Sequence, residues 1–356
     1  MNKFLLLSAV LLLSGCSSSR DLIYGSSSDS LAVVEWNKET STLTELQNDK
    51  TGIVSGCIGY SAKHSMLYLA TGKYPEDGSP NGRLYKIGKN GKVSLRSKFY
   101  FPHGYSYFET DRSGKFLIGA SYSSGHIDVF RLDDEGVPHL CDTAFEGKNT
   151  AHAVLLSPDN KSLYIPFVKE NNSLHQYSFD ARNGKLSAKN PAQAEVHPTA
   201  GPRHLRLHPD LPIIYASNEQ AVGVSVYNLN EDGSLTFKQI CPANDTVAGP
   251  GLSASSLVVT PDGKYVFSAQ RGKDAGQNFI HTYQIQEDGT LKPAGKTACD
   301  HIPWMLRLTS DGKHLLVSAT NTGSLSAYEI QSKGSLVKKS KTDWGQNFRD
   351  MIVIEQ

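Results

Sequence analysis

One short apolar strand recurs along this chain and limits what the chain can become. It appears as Leu22-Ile23-Tyr24, Leu67-Tyr68-Leu69, Phe116-Leu117-Ile118 and Leu163-Tyr164-Ile165, then as Ile213-Ile214-Tyr215, Tyr265-Val266-Phe267 and Leu315-Leu316-Val317. The seven copies stand about fifty residues apart, a period that marks a repeat architecture. A strand of alternating polarity follows, as in Val224-Ser225-Val226-Tyr227 and Ile280-His281-Thr282-Tyr283. A glycine turn and a short strand come next, as in Gly233-Ser234-Leu235 and Gly289-Thr290-Leu291. Ahead of the apolar strand lies another that ends in a hairpin signal, as in Leu257-Val258-Val259-Thr260-Pro261-Asp262-Gly263.

Each unit therefore reads as four antiparallel strands, A to D, and none can bury both its faces alone. Packing the units around an axis does so and leaves only short, protected edges. The expected fold is all-β, a seven-bladed β-propeller with four strands per blade, over residues 21–356 as one domain. A solenoid is the competing arrangement, and the chain ends argue against it. The mature sequence starts on a B-type strand and finishes on Met351-Ile352-Val353-Ile354, an A-type strand with no B strand after it. Pairing these orphans removes two open edges. Asp350 to Glu355 is thus expected as the innermost strand of blade one, beside 22–26, 31–36 and 42–46.

The first residues stand outside this pattern. Lys3 precedes an apolar run from Phe4 to Leu13, too short for a permanent span, and Leu13-Ser14-Gly15-Cys16 closes it. Residues 1–15 read as a lipoprotein signal peptide, Cys16 as the lipidated residue and 16–20 as a tether. An ordinary secretory signal with an accidental cysteine is the alternative. Ser17 after the cysteine favours the outer membrane, facing the periplasm. The lipid is the expected membrane contact. A net charge of +1 gives no reason to expect nucleic acid as a partner. Cys57, Cys141, Cys241 and Cys299 have no metal spacing, and the ring separates them, so free thiols are expected.

In such a blade the start of strand A and the end of strand B lie on the same face of the disc. His103, His152, Arg203, His204 and Trp304 precede A strands, whereas Tyr122, Asn218, Glu219 and Arg271 follow B strands. All are expected at one mouth of the channel. A solvated polar rim with incidental ion pairs is the plainer reading. The more specific reading is acid–base work on an anionic, oxygen-rich ligand. Guanidiniums clamp carboxylates and stabilise oxyanions, while histidine and glutamate exchange protons with water. No Gly-x-Ser-x-Gly elbow, phosphate loop or metal-ligand spacing is present, so no cofactor or metal is expected.

At these residues the sequence resembles the seven-bladed lactonase family, which includes bacterial 6-phosphogluconolactonase and the carboxymuconate-cyclising enzyme. Ala120-Ser121-Tyr122, Ala151-His152-Ala153, Gly201-Pro202-Arg203-His204, His208-Pro209, Asn218-Glu219 and Gln270-Arg271-Gly272 carry the resemblance. It implies catalytic roles for His152, Arg203, Glu219 and Arg271, while blade position at the mouth makes His103, Tyr122, His204, Asn218 and Trp304 the expected substrate contacts. The general base is either His152 or Glu219. Two departures stand out: Thr150 where the family often has histidine, and Trp304 where it often has arginine. With the export signal they point to an unphosphorylated lactone or sugar acid. The alternatives are a propeller that binds sugar acids without turning them over, and an envelope scaffold for protein partners.

Overall fold

The computed structural model describes residues 20–243, 249, 251–345 and 347–356. The signal segment and Cys16 lie outside the described residues. Seven four-stranded antiparallel sheets form a ring. Each B strand has its place in the sheet interior, and all but that of blade six are buried along their whole length (Asp21–Ser26, Met66–Thr71, Phe116–Ala120, Ser162–Phe167, Ile213–Asn218 and His314–Ala319). Outer D strands alternate between exposed and covered residues, as in Leu336–Asp343. This is the pattern of a strand with one face in water.

The core lies between blades. Of its seven apolar clusters, one joins Leu22 and Tyr24 of blade one to Leu67 and Tyr85 of blade two. Another joins Leu316 and Leu325 of blade seven to Ile23 and Val34 of blade one. The set runs unbroken around the ring, which excludes a solenoid.

The tyrosine of the apolar strand and the glycine of the C–D turn are two halves of one device. The hydroxyls of Tyr24, Tyr68, Tyr164 and Tyr215 donate to the carbonyls of Gly91, Gly136, Gly233 and Gly289, each in the next blade, at 2.7–2.9 Å. These glycines have φ between 76° and 81°, a region other residues enter at a cost. A Cβ on Gly289 would also stand 2.6 Å from Ile213.

The ring closes through the chain ends. Asp350–Glu355 pairs antiparallel with Asp21–Ser26, with Tyr24 opposite Ile352. Buried Asp350 adds a lock, accepting from the Ile58 backbone at 3.1 Å and from Arg307 at 3.3 Å. The four cysteines among the described residues are free; Cys57 and Cys241 are buried, Cys141 and Cys299 partly so.

Candidate active site

Four blades break register where strand A begins. The slips fall at Ser55/Cys57, Pro202/Leu205, Ala254/Leu257 and Pro303/Met305. Such bulges re-aim side chains. They put Arg203 and Trp304 on the axis, at a cavity of about 640 Å³ on this face.

His152, Arg203, Glu219, Arg271, Tyr122 and Trp304 all line that cavity. Arg203, 1% exposed, holds its Nε 3.0 Å from Oε2 of Glu219. Arg271 brings Nη2 to 3.6 Å from the same oxygen and also donates to the Ala254 carbonyl at 3.0 Å. One carboxylate thus sits against two guanidiniums. Burial and then mutual repulsion lower the proton affinity of Arg203, and Glu219 opposes both. The guanidinium carbons of Arg271, Arg203 and Arg349 stand 4.5, 5.1 and 5.8 Å from the Trp304 ring centroid, a triple cation–π contact.

His152 is 8% exposed, with Nδ1 buried and without a protein partner. Burial, followed by the charges of Arg203 and Arg271, holds its pKa well below the usual histidine range. The imidazole is therefore neutral at neutral pH, with a lone pair available.

Three of the expected contacts are not brought to the cavity. His103 turns outward onto its own blade, where Nδ1 meets the Asp128 carboxylate at 2.7 Å and the ring stacks on His126 at 3.9 Å. His204 lies under Arg203, 1% exposed. Its Nε2 accepts from Arg203 Nη1 at 3.2 Å; a guanidinium can only donate, so the ring proton sits on Nδ1. Asn218 points into blade five and accepts from the Ser225 hydroxyl at 3.0 Å. It and Glu219 are consecutive at a strand end, so they face opposite ways.

Lys73, Lys169 and Arg349 also line the cavity and were not anticipated. The positional rule contained the signal. Lys73 and Lys169 each follow a B strand by two residues, and Arg349 directly precedes the A strand of blade one. Among the described residues, no group of three or more His, Cys, Asp or Glu could hold a metal ion.

The ring and its charged mouth define a small-molecule propeller, and comparison with known proteins gives its class. Residues 12–348 match the family model described as Lactonase, 7-bladed beta-propeller. The chain belongs to this family and is an enzyme of the lactonase class. It is 27% identical over 335 residues to a 6-phosphogluconolactonase of Cronobacter sakazakii, covering 92% of this chain and 96% of that protein. A 6-phosphogluconolactonase of an Enterobacter species is 29% identical over 267 residues, 74% of this chain and 78% of the relative. The solved Pseudomonas aeruginosa periplasmic gluconolactonase superposes with a TM-score of 0.82 at 19% identity, over 95% of this chain and 99% of that one.

Proposed function

We propose that this chain hydrolyses a small sugar-type or carboxylated lactone by acid–base chemistry assisted by its arginines. One observation carries the reading: a buried, neutral His152 shares a cavity with the Arg203–Glu219–Arg271 cluster. His152 takes a proton from water as the water oxygen attacks the lactone carbonyl carbon. Arg203 and Arg271 stabilise the oxyanion that forms. The bond from that carbon to the ring oxygen then breaks, and the imidazolium returns its proton to the leaving oxygen, giving a hydroxy acid. Glu219 screens the two guanidiniums from each other and holds them in place. Purified mature protein assayed on aldonolactones and carboxylated lactones tests this. Turnover of none, with measurable sugar-acid binding, would favour the non-catalytic binder.

The expectation of an unphosphorylated substrate rested partly on Trp304 removing a cation from the rim. Lys73, Lys169 and Arg349 restore cationic character there, so that expectation now stands on Thr150 and the export signal. The same signal supports a second proposal: lipidation at Cys16 and an outer-membrane, periplasm-facing location. Cys16→Ala should release the protein from membranes and abolish lipid labelling; identical fractionation with the same label would overturn the anchor.

A further inference from the structure

Two aromatic side chains at the cavity have different surroundings, and the difference bears on which substrates fit. Trp304, the residue best suited by type to carry a sugar ring, already has three guanidiniums within 6 Å of its ring centroid. Tyr74 also lines the cavity and is 47% exposed.

Ring order sets the two apart. In a ring of seven, blade two lies across the axis from blades five and six, which supply Arg203, Glu219 and Arg271. Blade two contributes a mostly uncharged wall instead, with Val54, Gly56, Gly72, Tyr74 and Pro75 along it beside Ser55 and Thr71, and Lys73 as its one charge. Val54 is 59% exposed. The cavity is therefore two-sided, with the guanidiniums and Glu219 on one wall and, Lys73 apart, uncharged and largely apolar residues on the other.

The apolar wall is firmly built. The segment between Met66–Thr71 and Gly82–Ile87 spans ten residues, against seven or fewer at the corresponding place in the other blades. Its start is held in place: the Tyr105 amide, from the stretch leading into blade three, donates to the Thr71 carbonyl at 2.7 Å, and the Thr71 hydroxyl donates forward to the Lys73 carbonyl at 2.5 Å. A Cβ on Gly104 would stand 2.6 Å from the Lys73 backbone, and one on Gly56 would stand 2.7 Å from Gly72 Cα. Glycine at both positions permits the close approach that brings Tyr74 to the cavity.

We infer that Tyr74 is a specificity-determining residue, the platform for the substrate's ring. The preferred substrate is an amphipathic lactone. It turns its carbonyl and any anionic group toward Arg203 and Arg271, and a C–H-rich ring face toward Tyr74. This rests on the lactonase reading above, and the test separates the two.

KM and kcat are measured on glucono-1,5-lactone and glucaro-1,4-lactone for wild type, Tyr74→Ala and Tyr74→Phe, with thermal melts as a check on folding. Loss of an aromatic contact predicts that Tyr74→Ala raises KM about five- to tenfold, with a much smaller change in kcat. Tyr74→Phe, which keeps the ring, should recover most of the affinity. An unaltered KM in a folded Tyr74→Ala, or a Tyr74→Phe as impaired as the alanine variant, would overturn the platform. If wild type hydrolyses neither lactone, the lactonase reading fails and calorimetric titration with gluconate decides the platform. Weaker binding by Tyr74→Ala but not Tyr74→Phe upholds it, and equal binding by all three proteins overturns it.

Discussion

Arg203 and Glu219 form a buried ion pair, Nε to Oε2 at 3.0 Å, with the guanidinium side chain 1% exposed. The pair reaches from the bulge of one strand to the end of its neighbour. With Arg271 on the same carboxylate, it leaves the cavity a net positive cluster that needs no rearrangement when charge develops on a ligand.

Removing either partner has different consequences. Arg203→Ala should lower turnover about a hundredfold or more, the usual effect of losing one oxyanion donor, while Glu219 keeps Arg271 as a partner. Glu219→Gln leaves Arg203 buried beside Arg271 without its carboxylate. It should lose activity and destabilise the fold by about 3 kcal/mol. The double variant Arg203→Ala/Glu219→Gln should be less destabilised than the two single changes predict together. Urea denaturation of the four proteins tests the coupling.

The pH dependence of the reaction follows from His152. Its pKa is held well below 6.5 by burial and the two guanidiniums, so it stays unprotonated as pH falls through the range where an ordinary histidine would charge. The acid limb of kcat/KM should lie well below 6.5. Arg271→Gln removes one of the depressing charges and should move that limb upward. A limb at the ordinary histidine value in wild type would exclude His152 as the base.

Stability should also depend on acid. His152, His204 and His281 are buried, and all have lowered folded-state pKa values, His281 down to about 4. Above pH 6.5 they are neutral whether the chain is folded or not, and they add no pH dependence. Below it the unfolded chain binds their protons and the folded one does not, so stability falls by up to about 1.4 kcal/mol per pH unit for each. Denaturation midpoints at pH 7.5, 6.0 and 5.0 should decline in that order.

The tyrosine–glycine device gives a packing prediction. Gly289→Ala, at φ 81° with a Cβ 2.6 Å from Ile213, should destabilise the protein by about 2 kcal/mol or more. Tyr215→Phe removes only the hydroxyl that donates to the Gly289 carbonyl and should cost about 1 kcal/mol. Equal effects would mean that the hydrogen bond, not the backbone geometry, dominates.

Ring closure predicts the effect of truncation. Deleting residues 350–356 strips strand A from blade one, exposes the edge of Asp21–Ser26 and removes Asp350 from Arg307 and Ile58. The product should aggregate or fail to fold cooperatively. Asp350→Asn, which keeps the strand, should fold with a lower melting temperature.

Much of this protein was determined by sequence alone. Strand alternation and turn glycines are local signals, so seven copies of Leu22-Ile23-Tyr24-like strands revealed the repeat, and the unmatched strands at the two ends revealed closure. Blade register also put His152, Arg203, Glu219 and Arg271 at one mouth, where the structure brings them around one cavity. The tertiary structure decided what each side chain does there. Asn218 and Glu219 are neighbours in sequence, yet only Glu219 faces the axis. His103 is drawn aside by Asp128 from another strand, and Trp304 is enclosed by arginines from three different blades. Such choices depend on bulges at strand ends and on contacts between residues far apart in the chain. A two-residue period cannot encode them, because it describes a strand in isolation and not the blades packed against it.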